Sequence, residues 1–185
     1  MFIPRNSLRG LPLITYNSEE INGMRRKNCN CRIFITERIN TMTEIRPYER
    51  KVNYYETDKM GIVHHSNYIR FFEETRVHYL AEMGMPFENI EAEGVLMPVL
   101  SVECSYKHPL VFGEPFQSSI RVTKFNGTIL HLAYRIISLK TGELCAEGSS
   151  AHCFTDMDMK PIRTKTKFPH IYNIFNELTK TTSEE

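Results

Sequence analysis

One long run with an apolar stripe, followed by strands joined through tight turns, leaves this chain few ways to fold. Ile69, Phe72, Tyr79, Leu80 and Met83 recur at helical spacing between about Tyr68 and Met83. That is the pattern of a helix that buries one side. Ser66 or Asn67 offers a short side-chain oxygen to the first free N–H groups, and Gly84 marks the stop. Further on, Asn126-Gly127 and Thr141-Gly142 connect three alternating stretches so closely that these must run antiparallel. Asn126-Gly127 is also the dipeptide preferred in type I′ hairpins. A lone long helix with an apolar stripe has to cover that stripe against the sheet such strands make.

The remaining elements complete that sheet. Tyr48, Val52 and Tyr54 alternate with Glu49, Lys51 and Asn53, which predicts a half-buried first strand. Leu96, Leu100, Val102, Cys104 and Tyr106 share a face of the second, and Phe116, Ile120 and Val122 share a face of the third. Thr128–Leu139 and Leu144–Thr155 follow, and the long Thr128–Leu139 strand and its neighbours offer edges that need covering. A short helix is expected over Pro86–Ala92, and a terminal amphipathic one from Pro169 through Ile171, Ile174, Phe175 and Leu178. The polar tail Thr179–Glu185 reads as frayed. The fold class is α+β: an antiparallel five-stranded sheet wrapped around one long helix, over residues 46–178.

Residues 1–45 lack sustained periodicity and contain Met24 and Met42. They are expected to be an N-terminal extension, disordered or an artefact of the assigned start, with Met42 the favoured initiator. Intact mass of the natively expressed protein tests this against the full 21.7 kDa.

Bulk properties exclude several classes. The formal net charge is +1, so no global field draws nucleic acid or an anionic membrane, and an anionic ligand has to be held by local charges. Five cysteines form no disulfide framework, and Cys29-x-Cys31 lacks a second pair for zinc. No apolar run approaches the roughly 20 residues of a membrane span, and a cytoplasmic location is expected.

The stretch from Tyr54 to Tyr68, Y-Y-E-T-D-K-M-G-I-V-H-H-S-N-Y, carries the chemistry. Asp58 falls between a strand end and a helix start, where a side chain can face a cleft. The helix start adds free backbone N–H groups and a positive dipole end, and such donors can polarise a carbonyl oxygen. A carboxylate beside them can attack the carbonyl carbon or activate water. Thioesters suit the arrangement, because a thiolate leaves without strong acid assistance. A plain turn aspartate would give the same residue in the same place. His64, His65 and Asp58 are poorly spaced for a metal, since adjacent side chains of an extended loop point apart, and no metal is expected.

Tyr-x-x-x-Asp ahead of Gly-x-x-x-His and a helix start resembles the active-site loop of the 4-hydroxybenzoyl-CoA-thioesterase-like hotdog family, in its bacterial acyl-CoA branch. Tyr54, Asp58, Gly61, Val63, His65, Tyr68 and Phe72 all match, and the resemblance extends over roughly residues 46–155. It implies an acyl-CoA thioesterase that hydrolyses an acyl-CoA, or an acyl carrier protein thioester, without a cofactor. Asp58 would be nucleophile or general base, His65 would position the thioester or assist proton transfer, and Tyr54 would orient Asp58. Gly61, Val63, His64 and Glu73 would line the substrate site. Lys124, Lys160 and Arg163 would meet the phosphates of coenzyme A. Tyr106-Lys107-His108-Pro109-Leu110 with Phe112-Gly113-Glu114 looks like the family's structural connection. The resemblance also implies a homodimer or homotetramer with sheets joined edge to edge. A hotdog dehydratase or hydratase would use similar residue types, and a non-catalytic acyl-CoA sensor is an alternative of a different class. Glu73 and Glu74 sit where another hotdog branch carries its carboxylate, but that branch has an amide where Asp58 stands.

Overall fold

A computed structural model describes residues 45–181; the expected extension, the Met42 start, Cys29 and Cys31 lie outside them. The chain runs through β1 (Tyr48–Lys51), a 3-10 turn (Tyr54–Glu56), α1 (His65–Glu82), α2 (Phe87–Ala92), β2 (Val99–Tyr106), β3 (Pro115–Phe125), β4 (Ile129–Ser138), β5 (Leu144–Cys153), α3 (Thr164–Lys167) and α4 (Pro169–Thr181). The strands form one antiparallel sheet in the order β1-β3-β4-β5-β2. This is the hotdog arrangement, with α1 lying against the sheet.

Aromatic stacking joins helix to sheet. Phe71 stacks on Phe116 of β3 with ring centroids 4.9 Å apart, and Phe72 on Tyr134 of β4 at 4.5 Å. Burying each such ring contributes roughly 2–3 kcal/mol. The Phe72 ring comes so close to β5 that a Cβ at Gly148 would lie 2.5 Å from it and collide with the Glu103 carbonyl. Only glycine leaves the room. A buried hydroxyl pair, Thr75 Oγ1 and Ser118 Oγ 2.7 Å apart, ties α1 to β3. At the other end of the sheet, α4 buries Ile171 and Phe175, and Phe175 meets Phe125 and Phe154.

Several expectations need correction. Helix α1 begins at His65, capped by His64, whose Nδ1 accepts from the Ser66 N–H at 3.4 Å. Asn67 is no cap: its side chain donates to the Glu56 carbonyl at 2.8 Å. Phe71 is fully buried and belongs to the core, whereas Ile69 is half-buried. The Asn126-Gly127 turn is not type I′, which needs positive φ at both residues; here Gly127 has it and Asn126 does not. Instead Asn126 Oδ1 accepts from Thr128 N and Ile129 N, closing a wider loop. The Thr128–Leu139 strand supplies no edge, because β4 lies between β3 and β5; the edges are β1 and β2. The tail is helical as far as Thr181.

β2 also departs from simple alternation. A bulge between Val99 and Ser101 shifts its register on β5, so Leu96 and Tyr106 are not in one phase. Val99, Leu100, Val102 and Tyr106 are all substantially exposed, as an edge strand leaves them.

Candidate active site

Asp58 sits at the tip of a small hairpin. Thr57 bridges Val63, Asp58 N donates to the Ile62 carbonyl at 3.0 Å, and Gly61 N donates to the Asp58 carbonyl at 2.9 Å. Gly61 has φ 78°, which L side chains rarely adopt. Asp58 Oδ1 accepts from Met60 N at 2.8 Å, while Oδ2 has no partner among the described residues. The carboxylate is therefore oriented from within its own loop, with one oxygen free and the side chain partly exposed.

The hairpin leads straight into α1. Val63 is buried and donates to the Leu110 carbonyl at 2.8 Å. His64 N donates to the Glu56 carbonyl at 2.8 Å, and His64 Nδ1 lies 2.8 Å from Ser66 Oγ. His65 is exposed, its ring 4.1 Å from that of His64, and Tyr106 of β2 donates to its carbonyl at 3.1 Å. The His65 N–H has no partner among the described residues, as a first-turn donor should not. The Tyr106–Glu114 connection is structural, as expected: it carries Gly113 at φ 75°, and Gly113 N donates to the Val52 carbonyl at 3.0 Å.

Tyr54 makes no hydrogen bond to Asp58 among the described residues. The strand ends at Lys51, the following 3-10 turn swings Tyr54 outward, and its ring meets Phe112 edge-on at 5.6 Å. The cations also lie elsewhere. Lys124 is at the far end of β3 from Pro115, roughly 30 Å along the strand, and the Asp58 hairpin bridges Val111, just before Pro115. Lys160 and Arg163 follow β5 at that same far end, and Lys160 pairs with Asp158 at 3.7 Å. Within one chain they are not gathered around Asp58. Glu73 lines a cavity of about 100 Å³ between α1 and β2. Among the described residues no group of three His, Cys, Asp or Glu could hold a metal ion, and no helix is long and apolar enough to cross a membrane.

Two arginines, Arg50 half-buried and Arg76 buried, were missed in the sequence. Arg50 pairs with Glu56 through Nη2–Oε1 at 2.6 Å and Nη1–Oε2 at 3.0 Å, and its Nε reaches Glu74 at 2.8 Å. Its guanidinium lies over Phe71, 4.5 Å from the ring centroid. Glu56 also accepts from Asn53 N at 2.7 Å. Burial alone would raise the Glu56 carboxyl, but the Arg50 pair and the Asn53 N–H outweigh it and hold it below its ordinary value. This cluster underpins the Asp58 hairpin, because the Glu56 carbonyl anchors both His64 and Asn67. The available signal was parity: Arg50 falls between Tyr48 and Val52 on the inward face of β1.

The second arginine, Arg76, is 6% exposed. Its Nη1 lies 2.5 Å from His152 Nδ1; His152 Nε2 is 2.7 Å from Ser150 Oγ, and Ser150 Oγ is 2.9 Å from the Tyr134 hydroxyl. Burial first, and then the Arg76 charge, pull His152 down to about 4. Here the signal was a charge placed four residues after Phe72, on the apolar stripe itself.

The antiparallel sheet with its one long helix is the fold of thioesterase-type proteins, and the comparisons place the chain among them. Residues 52–174 match the model of the Thioesterase-like superfamily, and the chain belongs to that family. The expected thioester hydrolase class stands with it. A relative in Bacillus subtilis described as "Putative acyl-CoA thioesterase YneP" is 34% identical over 71% of this chain and 96% of its own length. A solved structure described as a DHNA-CoA thioesterase from Staphylococcus aureus superposes with TM-score 0.70 at 30% identity, covering 74% of this chain and 92% of that one. Escherichia coli "Acyl-CoA thioester hydrolase YbgC" is 26% identical over 60% of this chain and 83% of its length.

Proposed function

We propose that this chain hydrolyses an acyl-CoA thioester to the free acid and coenzyme A, with Asp58 as the catalytic carboxylate. The observation that carries the reading is the Asp58 side chain: one oxygen is fixed by Met60 N–H, the other is unpartnered among the described residues, and the hairpin runs on into α1, whose first N–H, at His65, is free. A thioester carbonyl oxygen at that N–H would be polarised where charge develops. Asp58 would either attack the carbonyl carbon, expelling the thiolate and leaving an acyl–aspartyl anhydride that water then opens to the free acid, or take a proton from a water that attacks the carbon as the thiolate leaves. His65, exposed beside the helix start, would contact the thioester. The names of the relatives favour coenzyme A over a carrier protein as the thiol.

The same reading includes a second copy of the chain. β2 presents an open edge with exposed Val99, Leu100 and Val102. Pairing two β2 edges would satisfy their free N–H and C=O groups and cover the apolar side chains. Sedimentation of the wild type beside Val102→Lys tests this; a monomeric wild type rejects it.

The activity test is thiol release from a panel of acyl-CoAs by wild type and Asp58→Asn. Turnover in the wild type, falling at least about a hundredfold in the variant with its fold intact, is the expected result. Near-wild-type turnover in Asp58→Asn removes the carboxylate from the mechanism, and silence on every acyl-CoA removes the substrate class.

A further inference from the structure

The Asp58 hairpin is held from outside its own residues. Ile62 bridges Val111, and Val63 N donates to the Leu110 carbonyl at 2.8 Å, so the hairpin hangs from residues 110–111. Those residues open a tight turn. Glu114 N donates to the Val111 carbonyl at 3.2 Å, and Gly113 supplies the positive φ. The Glu114 side chain closes the same turn from inside: its Oε2 accepts from Val111 N at 3.1 Å. Its other oxygen, Oε1, accepts from the Ser138 hydroxyl. Ser138 is buried and ends β4, the central strand of the sheet. One carboxylate therefore registers the segment that carries the hairpin against the middle of the sheet.

We infer that Glu114 is a positioning residue, whose carboxylate sets the placement of Asp58 through Val111 and Ile62. The inference takes the role of Asp58 from the thioesterase reading, while the tie between Glu114 and the hairpin is independent of it. Two observations single out the carboxylate. It is only 8% exposed, yet no cation pairs with it among the described residues. A buried charge without a counter-ion is a poor source of stability, so what it supplies is geometry. Its two neighbours are also both donors. The Ser138 oxygen already accepts from Lys140 N and Thr141 N at 3.2 Å each, which leaves only its proton to offer Glu114. Glutamine would bring one acceptor and one donor to a place that needs two acceptors, and an N–H would be left unmet. The path to the active carboxylate is short. Glu114 holds Val111 N, Val111 bridges Ile62, and the Ile62 carbonyl accepts from Asp58 N at 3.0 Å. A displacement on the order of 1 Å at a reacting group can cost about a hundredfold in rate.

The test measures kcat and KM for thiol release from acyl-CoAs in a cycle of wild type, Glu114→Gln, Asp58→Asn and the double variant. Amide hydrogen exchange of wild type and Glu114→Gln is followed at Asp58 and Val63, whose N–H groups hold the hairpin, and along β4; this needs no turnover. Glu114→Gln should lower kcat about ten- to a hundredfold, with KM within about twofold of wild type. In the Asp58→Asn background the same change should cost less than about twofold, because the group being positioned is already gone. Exchange should rise about tenfold or more at Asp58 and Val63 and stay unchanged along β4. Glu114→Asp keeps both acceptors on a shorter stem and should fall between wild type and Glu114→Gln; it carries the cycle if Glu114→Gln does not fold. Raised exchange confined to the hairpin, with no thiol release by the wild type, upholds the tie and defeats the thioesterase reading. Unchanged exchange at Asp58 and Val63, exchange raised equally along β4, wild-type turnover in Glu114→Gln, or the same loss in both Asp58 backgrounds overturns the inference.

Discussion

Arg50 and Arg76 are the same residue in two differently finished surroundings. Arg50 meets two carboxylates and lies over an aromatic ring, and every bond it makes fastens β1, the 3-10 turn and α1 together beneath the Asp58 hairpin. Arg76 is more deeply buried and lies over the Phe87 ring at 5.7 Å, yet its close polar partner is a neutral imidazole and its Nε has no hydrogen-bond partner among the described residues. A guanidinium with its charge matched is a fastener. One left short of acceptors beside a cavity has unspent binding capacity. The contrast separates a charge that fastens the elements beneath the Asp58 hairpin from one left short of acceptors beside a cavity.

The largest effect should come from breaking the matched pair. Arg50→Met leaves Glu56 buried without its counter-ion and should cost about 3–5 kcal/mol of unfolding free energy in urea. Turnover should fall as well, since the Glu56 carbonyl positions His64 and Asn67. A loss below about 1 kcal/mol would place Arg50 with ordinary surface charges.

The two regions should also titrate apart. His152 is held at about 4 in the fold against 6.5 ordinarily. As pH falls below 6.5 the unfolded chain takes up the proton first, so stability drops until about pH 4 and then levels. The full loss is roughly 3 kcal/mol, and His152→Gln should flatten that window. Glu56, held below its ordinary 4.5, stabilises the fold above the carboxylate range, and that contribution disappears as pH falls through its lowered value. Denaturation curves from pH 7 to 3 should show the His152 loss first.

Smaller effects sharpen the same contrast. Arg76→Met removes an underpaired charge and should change stability by less than Arg50→Met does, measured in the same urea series. Glu74→Gln should cost only about 0.5–1 kcal/mol, since Glu74 is 39% exposed and water screens it.

The layout of the fold was readable because period and turn chemistry are local. The α1 stripe, the glycine-bearing turns and the Asp58 loop are all written in neighbouring residues. Arg76 and His152 stand 76 positions apart, and no period links a lone charge to a lone histidine at that range. Even so, each arginine sits on an inward face that its apolar neighbours define, and that misplacement was the trace. The order of strands was hidden for a related reason: β2 crosses to the far side of β5, so chain order does not give the edge. Tyr54 was misplaced because alternation was continued past Lys51 into a turn.

The bulge in β2 has a consequence for how this enzyme could be altered. Val99 and Val102 are three residues apart, yet both line the cavity beside Arg76; in an unbroken strand they would face opposite ways. Deleting Leu100 would make β2 a flawless ribbon and turn one of those valines out of the wall. A change that made the strand more regular would thus erase part of the cavity wall, and improvements aimed at ideal geometry should leave this irregularity alone.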